Sequence, residues 1–157
     1  MSHEPDLDQP TAGRFEGRHH LLPVRIYYED TDFTGLVYHA NYLRYFERAR
    51  SDFLRLAGVH HRALLEGDSP TAFAVNRIAL DFLKPARIDD ALAVRSSYDF
   101  VKGARIFISQ ALMRGDEPLV KAQVEACCIS LTGRPKKPPG LLLDRLKPFL
   151  EPSTSSF

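Results

Sequence analysis

Residues 40–57, ANYLRYFERARSDFLRLA, decide the fold. Tyr42, Phe46, Ala49, Phe53 and Leu56 recur at spacings of three and four, which places them on one face of a helix about five turns long. Gly58 follows as its expected C-terminal stop. Glu47, Arg48, Arg50, Asp52 and Arg55 fall mostly off that stripe and are expected in solvent or at a subunit contact.

Upstream, Leu21–Glu29 (LLPVRIYYE) is rich in aliphatic, β-branched and aromatic residues and reads as a strand. Downstream, a short helical piece over His60–Glu66 precedes four strand-like segments. In the first, Ala74, Asn76, Ile78, Leu80 and Phe82 alternate with polar neighbours, and the next two span Ala91–Val101 and Arg105–Met113. The fourth, Leu119–Leu131, alternates Val120, Ala122, Val124 and Ala126 with Lys121, Gln123 and Glu125. The turns Lys102-Gly103 and Arg114-Gly115-Asp116 predict consecutive antiparallel pairing, and Gly140–Leu150 predicts a short helix interrupted near Pro148.

One helix packed on an antiparallel sheet is an α+β plan, and a long central helix wrapped by such a sheet is the hot-dog architecture. The expected organisation is a flexible tail over residues 1–18, one domain over 19–150 and a second tail over 151–157. The expected core is Ile26, Tyr42, Phe46, Ala49, Phe53, Leu56, Ile78, Leu80, Phe82, Val94, Ile106, Ile108, Val120, Val124 and Ala126. Open sheet edges predict a homodimer or homotetramer.

A net charge of +1 over 157 residues gives no bulk field for nucleic acid, so an anionic ligand needs a local cluster. The adjacent Cys127 and Cys128 point to opposite faces of a strand, which disfavours a disulfide between them and fits reduced, inert core thiols. The N-terminal residues lack the apolar run of a signal peptide, and no stretch approaches a membrane span, so the expected compartment is the cytoplasm.

The chemistry is concentrated between strand and helix, in Tyr28–Tyr42, YEDTDFTGLVYHANY. Two carboxylates, a glycine suited to a tight turn and a His-x-Asn pair enter the first helical turn together. Unpaired N–H groups at a helix start polarise a carbonyl and stabilise an oxyanion, and a carboxylate opposite them can attack that carbonyl or activate water. Taken alone, Asp30-x-Asp32 reads first as turn and capping chemistry, and His39 as an ordinary packed or capping histidine.

The pattern Y-x-x-D-T-D-x-x-G-x-V-Y-H-x-N-Y-x-x-x-F-E-x-A-R, unbroken from Tyr27 to Arg50, resembles the 4-hydroxybenzoyl-CoA thioesterase family, and within it the Tol-Pal-associated acyl-CoA thioesterase branch of YbgC type. DFLKPARIDD, Asp81–Asp90, is similar to a second family segment, and the resemblance covers roughly residues 20–135. It implies hydrolysis of an acyl-CoA or acyl-carrier-protein thioester without a cofactor beyond the CoA of the substrate. Asp32 would be the catalytic carboxylate, as nucleophile or general base, and the His39 backbone N–H would polarise the carbonyl. Gly35 would shape the turn, and Asp30, Tyr38, Asn41 and Tyr42 would support the loop or line the site. Lys84, Arg87, Lys102 and Arg105 lie at strand ends where they could meet CoA phosphates; related enzymes carry basic residues near the turn that holds Lys102 and Arg105.

Three rivals stand beside this reading. A hot-dog dehydratase would carry a His-Phe-Pro motif, which the sequence lacks. A metal hydrolase on Asp30, Asp32 and His39 has no helical i, i+4 ligand pair and no further clustered His or Cys, so no metal is expected. A non-catalytic acyl-carrier binding or scaffolding module would have no evident use for an ionised Asp32 beside a helix start.

Overall fold

The structure is a computed structural model that describes residues 12–152 together with Asp8 and Pro10. Six strands form one antiparallel sheet: β1 (Arg14–Glu16), β2 (His19–Arg25), β3 (Ala72–Phe82), β4 (Ala91–Lys102), β5 (Arg105–Arg114) and β6 (Glu117–Ile129). Their spatial order is β1-β2-β4-β5-β6-β3. The helices are α1 (Asn41–Leu56), α2 (His61–Glu66) and α3 (Gly140–Leu146), the last running into a 3-10 turn at Lys147–Phe149. The result is the α+β plan read from the sequence, a hot-dog sheet curled over α1.

No side chain caps the N-terminus of α1, where Ala40 occupies the cap position, so burial must hold the helix. Tyr42, Tyr45, Phe46, Ala49 and Phe53 sit in the core with Val94, Ile106, Ile108, Leu112, Val120 and Val124 of the sheet. Removing a phenylalanine such as Phe46 or Phe53 from water contributes about 1.5–3 kcal/mol. At the other end Gly58 adopts φ 90°, its N–H reaches Arg55 O and the Val59 N–H reaches Leu54 O at 2.7 Å, a Schellman stop where glycine was expected.

Several expectations need correction. The N-terminal tail does not extend to residue 18, because Arg14–Glu16 form β1 and pair with His19–Leu21 through a Gly17-Arg18 loop. Gly17 has the positive φ (61°) that such a loop uses at its first position. Phe15 anchors this hairpin, stacked on Phe149 at 4.4 Å and edge-on to Phe53 at 5.1 Å. Residues 1–7, 9 and 11, and 153–157 of the expected tails, lie outside the described residues. Glu151 is tied down by its N–H to Asp99 O.

The first strand stops at Arg25 instead of Glu29, because the Asp30 carboxylate accepts the Tyr27 N–H and the Thr31 hydroxyl donates to the Tyr28 carbonyl, closing a 3-10 turn over Tyr28–Asp30. A bulge between Val75 and Arg77 leaves Asn76 exposed and breaks the alternation expected in β3. Phe82 ends that edge strand and is 54% exposed, while Leu56, in the last turn of α1, yields its place in the core to Leu54. Cys127 and Cys128 are buried free thiols, and burial pushes Cys128 up to about 11.

Candidate active site

Asp32 begins a tight loop that the backbone closes on itself. Its N–H donates to Leu36 O (3.0 Å), the Gly35 N–H returns to Asp32 O (3.2 Å), and Thr31 and Val37 pair across the base. Gly35 takes φ 77°, a conformation that strains any residue with a β-carbon, as the turn reading required. The loop is stitched to the segment following β3: Val37 N–H to Ala86 O, Ile88 N–H to Gly35 O, and Leu36 bridged to Arg87.

The supporting residues fall beneath it. Asn41 Nδ2 and the Tyr38 N–H both donate to Asp30 O, at 2.9 and 3.0 Å, and the Asp30 carboxylate accepts the Tyr27 N–H at 2.8 Å. Tyr42 is buried in α1 with its phenol oxygen accepting the Ala86 N–H at 3.1 Å, and burial raises its phenol above the ordinary range. Gly35, Tyr38 and Asn41 thus shape the loop and do not line its cleft.

That cleft, of about 340 Å3, is lined by Asp32, Leu36, Val37, His39, Tyr42, Phe82, Leu83, Lys84 and Pro85. The Asp32 Oδ1 accepts the Thr34 hydroxyl at 2.6 Å and the Thr34 N–H at 2.9 Å, so the turn chemistry of an Asx residue is present. Its Oδ2 has no hydrogen-bond partner among the described residues. The Thr34 hydroxyl, then the Thr34 N–H, holds the carboxyl below its usual range, so Asp32 is an anion at neutral pH. His39 lies two residues before α1, not in its first turn, and its backbone N–H finds no acceptor among the described residues. Asp32, with its carboxylate, and His39, whose backbone N–H is unpaired among the described residues, therefore line one cleft together with Leu36, Val37, Phe82, Leu83 and Pro85.

Lys102 and Arg105 sit elsewhere. They face each other across the β4–β5 turn, whereas the Asp32 loop lies beside Asp90 at the opposite end of β4, on the order of 30 Å away along the strand. Arg105 is ion-paired with Glu125 at 3.2 Å. Within one protomer the structure does not bring them to Asp32. It brings Lys84 instead, which lines the Asp32 cleft and pairs with Glu117. The sequence signal for Lys84 was the segment Asp81–Asp90, whose return past the loop only the fold reveals. Among the described residues no group of three His, Cys, Asp or Glu side chains is placed to hold a metal ion.

Residues 27–149, from the Asp32 loop through α3, match the sequence family described as the thioesterase-like superfamily. The chain belongs to that superfamily. It is 47% identical over 110 residues to the acyl-CoA thioesterase YbgC of Haemophilus influenzae, covering 70% of this chain and 80% of the relative. The acyl-CoA thioester hydrolase YbgC of Escherichia coli is 33% identical over 127 residues, covering 80% and 93%. Among solved structures, a probable thioesterase from Bartonella henselae superposes with a TM-score of 0.74 at 39% identity, covering 77% of this chain and 99% of that one. The regions aligned with the YbgC relatives span most of both chains.

Proposed function

We propose that the chain hydrolyses acyl-CoA or acyl-carrier-protein thioesters, with Asp32 supplying the negative charge and the His39 N–H receiving the carbonyl oxygen. The observation that carries this reading is the shared cleft of Asp32 and His39, one an anion with a vacant Oδ2, the other an unpaired donor. As the thioester carbonyl is attacked, negative charge develops on its oxygen, and a preorganised N–H stabilises that charge without reorganising. Asp32 either attacks the carbonyl carbon, forming an anhydride that water then opens, or removes a proton from the attacking water. The thiolate of CoA leaves in both routes, and neither needs a cofactor.

The active unit is a homodimer joined at β3. Among the described residues this strand pairs only with β6, so its outer edge presents unpaired backbone groups along eleven residues, with Val75 and Phe82 exposed on it. Antiparallel pairing of two β3 edges about a two-fold axis sets the Phe82 end of one protomer against the Ala74 end of the other. Arg105 is level with Ala74 through their common neighbour Cys127, so Lys102 and Arg105 of the partner subunit arrive at the Asp32 end. Their distance from Asp32 within a chain then becomes proximity between chains, and they are placed to meet CoA phosphates. No helix among the described residues is long and apolar enough to cross a membrane, and the free thiols suit a cytoplasmic setting.

The test is release of free thiol from a panel of acyl-CoA and acyl-carrier-protein thioesters by the wild-type protein. Turnover of any of them supports the reading. Binding without turnover across the panel would put a scaffolding module in its place.

A further inference from the structure

A second pocket, of about 350 Å3, opens beside the Val75 end of β3, between α1, α2 and the sheet. Leu54, Leu65, Phe73, Ile106 and Ile108 give it an apolar interior, while Glu47, Ser51, His61 and Thr71 add polar groups to its lining. Arg50 of α1 is set among them, half-buried, and its one side-chain hydrogen bond goes to a neutral partner, Gln110 Oε1 at 3.0 Å. Gln110 is fixed in turn by donating to Phe46 O and Ser96 Oγ, both at 2.9 Å. No carboxylate of the described residues lies within 4.0 Å of the guanidinium; Glu47, one turn earlier on the rim, is exposed and makes no ion pair with it. Burial disfavours the Arg50 cation, as its lowered pKa records.

Glu47, on the same pocket's rim, favours the cation from a distance but makes no contact ion pair, so the half-buried guanidinium keeps donors free for an anion, and proteins pair partly buried charges in this way. Among the described residues only one of the five guanidinium N–H donors is engaged, and the fork geometry suits a carboxylate. The pocket volume falls at the lower end of the ~300–1,000 Å3 that small-molecule sites occupy. We propose that this pocket binds a carboxylate carried on a short apolar body, the head on Arg50 and the body against Phe73, Leu65 and Ile108. If the thioesterase reading holds, two sources share that chemistry: the free acid released by hydrolysis, and the far carboxylate of a dicarboxylic acyl group. The binding itself does not depend on that reading.

The experiment is calorimetric titration of the full chain with hexanoate and with hexanol, in wild type, Arg50→Met, Arg50→Lys and the pocket-filling Ala126→Leu, each confirmed folded by circular dichroism. Hexanoate should bind wild type at least tenfold more tightly than hexanol, and Arg50→Met should erase that difference. Arg50→Lys should retain part of it, and Ala126→Leu should weaken both ligands. The two sources are separated by the kcat/KM ratio of glutaryl-CoA to pentanoyl-CoA. A ratio that collapses in Arg50→Met identifies the dicarboxylic acyl group, and a ratio that stays level while hexanoate binding falls identifies the released acid. Equal binding of hexanoate and hexanol to wild type, unchanged hexanoate affinity in folded Arg50→Met, or no binding of hexanoate to wild type overturns the site. Loss of thiol release with hexanoate binding intact would overturn the thioesterase reading alone.

Discussion

The Ala86 N–H donates to the phenol oxygen of Tyr42 at 3.1 Å, joining the first turn of α1 to the segment that pairs with the Asp32 loop. Ala86 is fully buried and its carbonyl accepts the Val37 N–H at 2.9 Å, so one residue links helix and loop. Tyr42→Phe would strand a buried N–H, which costs about 1–3 kcal/mol. Chemical denaturation should show a loss of that size, with KM and kcat affected together as the loop loosens.

Thr34 governs the charge on Asp32. Its hydroxyl and then its N–H favour the carboxylate, so the folded pKa lies below the ordinary value and the group remains ionised on acidification until pH falls through that lowered value. Thr34→Val removes the hydroxyl and retains the N–H. The acid limb of kcat/KM against pH should therefore move to higher pH in the variant, with rates near pH 8 little changed. An unmoved limb would mean that Asp32 is not the group being titrated.

The N-terminal hairpin is held by a buried pair, His20 Nε2 and Asp52 Oδ2 at 2.6 Å, with the Gly13 N–H also donating to that oxygen at 2.9 Å. A β-carbon on Gly13 would lie 2.2 Å from Leu21 O and 2.8 Å from His20 Nε2. Gly13→Ala should thus cost about 1–3 kcal/mol through overpacking, read as a lowered Tm.

Burial, opposed by the Asp52 contacts, pulls His20 below the ordinary histidine value of 6.5. A histidine whose folded pKa is depressed contributes stability above its unfolded pKa, and that contribution is lost as pH falls through 6.5 toward the folded value. Tm should decline over that acid window in wild type, and His20→Gln should flatten the decline. A wild-type Tm that rises on acidification would show that the ion pair with Asp52 outweighs burial.

The fold was legible because its deciding segment is strongly periodic: α1 begins and ends within one residue of the expected 40–57, and Gly58 stops it. Chain order also exposed β4, β5 and β6, whose turns carry Gly103 and Gly115 at positive φ. β1 was not legible, since three residues, Arg14–Glu16, carry no period and owe their place to Phe15 packing on Phe53 and Phe149 far along the chain. The same limit applied to the site. Asp32, Gly35 and His39 are local in sequence and were found together, whereas Lys84 reaches the cleft through a crossover that no local pattern encodes.

Whether Lys102 and Arg105 serve their own Asp32 or the partner's is a matter of complementation. Asp32→Asn chains and Lys102→Ala/Arg105→Ala chains, co-refolded, should form heterodimers in which one site is whole, about a quarter of wild-type sites under random assortment. Activity at substrate concentrations well below KM should rise above that of either variant alone. No rise would assign the two basic residues to their own chain or to no role.

The central claim is that Asp32 is the catalytic carboxylate, and replacing it with asparagine keeps its shape while removing its charge. Thiol release from the preferred thioester should be compared for wild type and Asp32→Asn, with matched Tm and oligomeric state and with ester binding measured in both. The account predicts a kcat lower by about 10²–10⁴ with binding retained. Equal turnover by the two proteins would contradict it.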